Sequence, residues 1–136
     1  MYVIVIGGGK VGYYLARDLI EAGHEVTLVE KSPERFEWLR SQLGSAAMNG
    51  DGDEMAFLDQ TGIERADVVV AVTGDDEDNL VALQLAKRRF NVGTTIARVN
   101  NPSNKRIFNE LGVDIAISAT ELLRDSIESS IRQNSP

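Results

Sequence analysis

The sequence predicts an α/β fold, a doubly wound six-stranded parallel sheet with helices on both faces, and three observations carry that prediction. Short runs rich in β-branched residues, such as Val3 to Ile6 and Asp67 to Thr73, alternate with stretches whose apolar residues recur every three or four positions. The runs are apolar without alternation, as strands covered on both faces should be. Each is followed by a turn and a helical stretch, and parallel strands joined in this way cross over right-handed.

The elements follow in order. The first strand, Val3 to Ile6, breaks off at Gly7, Gly8 and Gly9, and Val11, Leu15 and Leu19 then keep a helical spacing. Gly23 reads as the stop of that helix, and Glu25 to Glu30 as the second strand. Ser32 and Pro33 supply an N-cap and a first-turn proline for a helix carrying Phe36, Leu39 and Leu43, on which Trp38 and Phe36 read as packing residues. A third strand within "SAAMNGDG" ends at Asn49 and enters a glycine-bracketed turn through Asp51. Asp53 is expected to cap a short helix that contains Met55 and Leu58 and stops at Gly62. The fourth strand, Asp67 to Thr73, leads into a helix from about Glu77 to Arg89. "TTIARVN" is the fifth strand, Asn101-Pro102-Ser103 opens a helix to Leu111, and "VDIAIS" is the sixth strand. Thr120 is expected to cap a last helix from Glu121 to about Arg132.

The 136 residues suit one domain, 1–136, with no linker or repeat. A net charge of −7 argues against nucleic acid as a partner, because phosphate neutralisation needs clustered Lys and Arg. The one basic cluster, "KRRF" at Lys87 to Phe90, falls where a helix ends and cations complement its dipole. No cysteine is present, which suits a reducing cytoplasm, and neither a signal peptide nor a spanning helix is expected.

In such a sheet the ligand crevice lies at the carboxyl ends of the strands, where strand order reverses. Those ends are polar or glycine: Gly7 to Gly12, Glu30, Asp51, then Thr73, Gly74 and Asp75, and lastly Arg98. Gly7, Gly9 and Gly12 stand at GxGxxG spacing, where the first permits a tight turn, the second lets backbone approach a pyrophosphate, and the third lets helix pack on strand. The first helical N–H groups then face the anion. Glu30 lies eighteen residues past Gly12 at the end of the second strand, placed to accept hydrogen bonds from an adenosine ribose and to repel a 2′-phosphate. The combination points to NAD or an adenine mononucleotide rather than NADP, although Lys31 beside it leaves an opening for phosphate. Glu30 has a plainer alternative, a solvated strand end paired with Lys31. Lys10 inside the glycine loop is either a phosphate contact or an exposed side chain. Asp51 and the run Asp75 to Asp78 invite a cation, but acidic residues where a helix begins are stabilised by its dipole, and capping is the reading preferred, with no metal. His24, the only histidine, is expected to be exposed, on the far side of the sheet from the crevice.

A dehydrogenase needs a proton donor or acceptor near the nicotinamide and a surface for substrate. Neither is visible here, so the chain reads as a non-enzyme, with an NAD-dependent oxidoreductase fragment as the alternative. "GGGKVGYYLA", "VTLVEK", the block from Asn49 to Asn79 and "IARVNNP" together resemble the nucleotide-binding N-terminal domain of the Trk/Ktr potassium-transport regulators, the RCK or KTN domain, over nearly the whole chain. The more specific part is the block after the third strand, which ordinary dehydrogenases lack.

The resemblance implies a Rossmann-like domain of a cytoplasmic regulatory subunit, peripheral to the inner face of the membrane, that binds NAD(H) or ATP/ADP. It further implies homodimers, assembled into a ring, beneath a potassium-translocating membrane protein. By similarity Gly7, Gly8, Gly9, Lys10 and Val11 would hold the phosphates and Glu30 the adenosine ribose, with Gly12 and Lys31 counted among the binding residues. Asp51 with Gly52 would take the adenine side, and Thr73 with Gly74 the middle of the crevice, with Asp75 counted among the binding residues. Arg98 would reach toward the phosphates, unless it forms an ion pair with a nearby aspartate. The chain departs from the family in reading Ser118-Ala119-Thr120-Glu121 where Ser-Pro-Glu is common. The smaller C-terminal ligand domain of relatives is expected to be absent, and the apolar stripe Leu122, Leu123, Ile127 and Ile131 is expected to fold back on its own sheet or swap onto a partner.

Overall fold

The computed structural model describes residues 1–136. Six strands form one sheet in the order β3-β2-β1-β4-β5-β6, with every neighbouring pair parallel. They are β1 (Tyr2–Ile6), β2 (Glu25–Glu30), β3 (Ala47–Asn49), β4 (Val68–Ala71), β5 (Thr94–Val99) and β6 (Ile115–Ser118). The helices are α1 (Lys10–Glu21), α2 (Pro33–Leu43), α3 (Met55–Asp59), α4 (Asp76–Arg88), α5 (Lys105–Glu110) and α6 (Ala119–Gln133). The strand order is that of a Rossmann-like sheet, and it reverses between β1 and β4.

All of β1 is buried, and its alternate residues serve opposite cores. Val3 and Val5 pack with Ala16 of α1 and Leu39 of α2 on one face. Tyr2, Ile4 and Ile6 pack with Leu58 of α3, Leu83 of α4 and Phe108 of α5 on the other. Fully burying a side chain of this kind contributes about 1.5–3 kcal/mol, so the two faces together clamp β1 in place.

Several boundaries differ from those expected, each for a local reason. The β4 ladder ends at Ala71, because Thr73 turns its N–H to a side chain instead of to a strand. Asp53 does not cap α3: Glu54 holds that position without a side-chain bond, and Asp53 N–H bonds back to Asp51 Oδ1 at 2.9 Å. Ser118, not Thr120, caps α6, accepting from Glu121 N–H at 3.2 Å, so that helix begins at Ala119. Residues Pro102–Asn104 form a 3₁₀ turn before α5, capped by Asn101. His24 is half-buried rather than exposed, its Nδ1 lying 3.3 Å from the terminal amino group of Met1.

The face that α1 and α2 cover is open beyond β1. An apolar groove of about 580 Å³ runs there between α1 and the start of α6, over Val68, Val70, Ile96 and Ile117. Helix α6 does not fold back into it: Leu122, Leu123, Ile127 and Ile131 are 51–65% exposed. No helix is long and apolar enough to cross a membrane.

Candidate nucleotide crevice

At the strand-order reversal the carboxyl ends of the strands open into a cleft of about 280 Å³. Its floor is the β1–α1 turn. Gly7 has φ +111°, a conformation that side chains disfavour, and a Cβ there would lie 2.9 Å from Thr73 N. A Cβ on Gly12 would lie 1.7 Å from the Gly7 carbonyl oxygen, so only glycine lets α1 sit this close to β1. At Gly9 a Cβ would meet nothing within 4 Å; the space above it belongs to the cleft. Gly9 is also the N-cap of α1, without a side-chain cap bond and with no acidic residue in the first turn. The first N–H groups of a helix have no intrahelical partner, so the positive end of the α1 dipole lies open to the cleft.

Glu30 anchors this turn. One carboxylate oxygen accepts from Gly8 N–H at 2.9 Å and the other from Ser32 N–H at 2.8 Å, while Arg35 Nε donates to the Gly8 carbonyl at 2.7 Å. Gly8 is thus held on both sides by the β2–α2 segment. An ionised carboxylate has about four lone-pair sites, so after two backbone bonds Glu30 keeps capacity for two further donors, the number in a ribose diol. Its alternative partner is not seen: Lys31 instead reaches Asp78 at 3.7 Å.

Of the residues expected from sequence, Gly7, Gly8, Gly9, Lys10, Val11, Glu30, Lys31, Asp51, Gly52, Thr73, Gly74 and Arg98 line the cleft. Two do not. Gly12 is buried between helix and strand, where its role is packing. Asp75 caps α4, its carboxylate accepting from Asp78 N–H at 3.0 Å. Four more residues line the cleft unforeseen: Gly50, Asp53, Val72 and Asp78. Gly50 had a signal, the glycine bracket around Asp51. Asp53 and Asp78 come from separate elements, and only tertiary placement brings them together.

The charges are arranged unevenly. Burial raises the Asp53 carboxyl from 3.8 to about 7, and the neighbouring Asp78 and Asp51 carboxylates push it the same way against Lys31. The Asp53 carboxyl therefore takes up its proton near neutral pH. Among the cations, Lys10 and Arg98 belong to none of the ion pairs. The expected alternative for Arg98, an ion pair at the sheet end, is absent, and its Nε is buried without a partner. Arg98, Val11 and Val72 also line the apolar groove, so cleft and groove share a wall.

Chemically, this cleft offers backbone N–H donors, an open helix N-terminus and an uncompensated guanidinium on one side, and a diol-sized acceptor on the other. That is a site for a molecule with an anionic middle and a hydroxyl-bearing end. The lone histidine lies at the opposite end of β2, and no group of three or more His, Cys, Asp or Glu side chains could hold a metal ion.

Known proteins agree with this architecture. The chain is 41% identical over 133 residues to the Trk system potassium uptake protein TrkA of Mycobacterium tuberculosis, covering 96% of this chain and 60% of that one. It is 40% identical over 118 residues to a TrkA homolog of Methanothermobacter thermautotrophicus, covering 87% and 54%. It therefore spans little more than half the length of these relatives. Among solved structures, the NAD(P)-binding domain of an exopolyphosphatase-related protein from Archaeoglobus fulgidus superposes with a TM-score of 0.82 at 31% identity, covering 96% of this chain and 97% of that domain. The GsuK channel bound to NAD (TM-score 0.72, 24% identity, 86% and 20% covered) and GsuK bound to ADP (0.82, 20%, 98% and 34%) share the fold. The TrkA-N domain model matches residues 3–119, and with the relatives above it establishes that the chain belongs to the TrkA-N domain family.

Proposed function

We propose that the chain is a regulatory domain of a potassium uptake or channel system. It binds NAD(H) or ATP/ADP in the cleft and transmits ligand state to a potassium-translocating membrane protein. The observation that carries nucleotide binding is Arg98: a guanidinium nitrogen buried without a partner, with an uncapped helix N-terminus on the same cleft, leaves donors without acceptors that a diphosphate would fill. In this reading Gly7 to Val11 and Arg98 hold phosphate, Glu30 and Lys31 the ribose, Asp51 and Gly52 the adenine side, and Thr73 and Gly74 the middle. The names of the relatives support the potassium partner, and the structures of GsuK with NAD and with ADP support both ligand classes.

The domain is not an enzyme in this reading, which the names of the relatives, potassium uptake proteins, support. It works from the cytoplasmic face of the membrane as a homodimer, the apolar groove and the exposed stripe of α6 supplying the contact, and such dimers build a ring. Transmission is a population shift between two dimer geometries that bind the ligand unequally. A differential affinity of about 2 kcal/mol changes the ratio of states about thirtyfold.

Calorimetric titration with NADH, ADP and ATP, followed by light scattering with and without ligand, tests this directly. Saturable binding with a ligand-dependent oligomer size and no NADH consumption on carbonyl substrates is expected. Steady turnover of NADH by the chain would instead establish the oxidoreductase alternative.

A further inference from the structure

Asn79 is the largest fully buried polar residue of the chain, at 0% exposure, and it does not line the cleft. It sits in the first turn of α4, behind the cleft wall. Its amide oxygen accepts from Thr73 N–H at 3.0 Å and from Thr73 Oγ1 at 2.6 Å. Its amide nitrogen donates to the Thr73 carbonyl at 3.1 Å and to the Arg98 carbonyl at 3.0 Å. An amide side chain has two acceptor sites and two donor hydrogens, so Asn79 has none left over.

The position of these bonds matters more than their number. The last ladder pair between β4 and β5 is Ala71 with Ala97, so the backbone of Thr73 has left the sheet when it reaches the cleft. Asn79 supplies the missing ladder: one amide replaces a strand partner for Thr73 and ties it to the β5 residue that carries the uncompensated guanidinium. A second link runs alongside. Asp76 accepts from Asn100 N–H at 2.6 Å and from Asn100 Nδ2 at 3.0 Å, and the same Nδ2 donates to the Thr73 carbonyl at 3.1 Å. Thr73 is in turn the residue against which Gly7 packs. From α4 the network thus reaches both the Gly7 turn and the Arg98 arm.

We infer that Asn79 is the positioning residue of the nucleotide cleft: acting through Thr73 and Arg98, it sets the place of the groups that meet the diphosphate, without touching the ligand. The inference rests on the nucleotide reading above. It separates two parts of the ligand, because the Glu30 end is held by Gly8, Ser32 and Arg35 and makes no bond to this network.

The test is the affinity of Asn79→Ala for NADH and for adenosine, measured beside the unaltered chain and beside Arg98→Gln, with a thermal melt of each. NADH affinity is expected to fall about tenfold, as for loss of hydrogen bonds at a buried polar group, while adenosine affinity stays within about twofold. In the Arg98→Gln background Asn79→Ala should cost little more, since both act on one arm. A parallel fall for both ligands, an additive double variant, or unchanged NADH affinity each overturns the positioning role. Asn79→Ser retains one hydrogen-bonding group and serves if Asn79→Ala does not fold; if neither folds, the residue belongs to stability alone and the inference fails. If the unaltered chain binds neither NADH nor ADP, the nucleotide reading falls first and takes this one with it.

Discussion

Gly12 and Gly9 belong to one motif, yet the structure separates what each does, and a single added methyl group exposes the difference. In Gly12→Ala the new Cβ would stand 1.7 Å from the Gly7 carbonyl oxygen and 2.9 Å from its carbon, both backbone atoms that no rotamer change can clear. Restoring ordinary contact requires α1 to retreat from β1 by roughly 1.8 Å, taken against packed-carbon separations of about 3.5 Å. Overpacking of that kind costs about 3 kcal/mol, and the better helix propensity of alanine returns about 1 kcal/mol. The net loss of about 2 kcal/mol, with an unfolding entropy of about 2.1 cal/mol/K per residue over 136 residues, lowers Tm by about 7 °C. Gly9→Ala adds its methyl to open space at φ −71°. The weaker N-cap and the stiffer unfolded chain nearly offset each other, so Tm moves by no more than about 3 °C. If a nucleotide lies over Gly9, its affinity falls all the same. Differential scanning fluorimetry and NADH titration of both variants give the result. A Gly12→Ala protein as stable as the parent, or a Gly9→Ala protein that melts early, would refute the division of roles.

Three further outcomes are expected. The Asp53 carboxyl is raised by burial and by Asp78, so between its ordinary value of 3.8 and about 7 the folded chain holds more protons than the unfolded one, and stability declines as pH rises through that window. Asp53→Asn should remove that slope from a plot of Tm against pH. Asp76 behaves oppositely: although burial pushes it up, hydrogen bonds from Asn100, Asn101 and Asn104 hold it below the usual carboxylate range, so its contribution is complete above that range and lost on acidification. Asp76→Asn should flatten the acid limb of the same plot. Glu30→Gln keeps one acceptor oxygen for Gly8 or Ser32 but not both. A charge-assisted bond of about 1.5–3 kcal/mol is lost, and both Tm and adenosine affinity fall, where Lys31→Gln changes neither by as much.

Much of this was legible because it is local in the chain. The handover from β1 to α1, the glycines and Glu30 lie within thirty residues, and their spacing implies their meeting. The cap at Ser118 has a local signal as well: with Glu121 three residues on, it opens the Ser-x-x-Glu pattern of a capping box, which Thr120 does not. Asp53 and Asp78 could not be read in this way. Each has an ordinary local explanation, a turn residue and a first-turn acid, and their closeness depends on how the β3–α3 loop folds over the head of α4. Asn79 looks from the sequence like one more polar residue in a helix. Its burial becomes evident only when the ends of β4 and β5 are seen to need a partner.

The wall shared by the cleft and the apolar groove bears on how affinities should be measured. Val11, Val72 and Arg98 face both compartments, so in the dimer proposed above a second molecule seated in the groove would alter the surface that the proposed nucleotide meets. Linkage makes such an effect mutual. An apparent dissociation constant for the nucleotide then depends on how much protein is in the tube, and titrations run at nanomolar and at micromolar protein should disagree. Protein concentration is accordingly a variable to scan, and the drift it produces measures the coupling between the two surfaces.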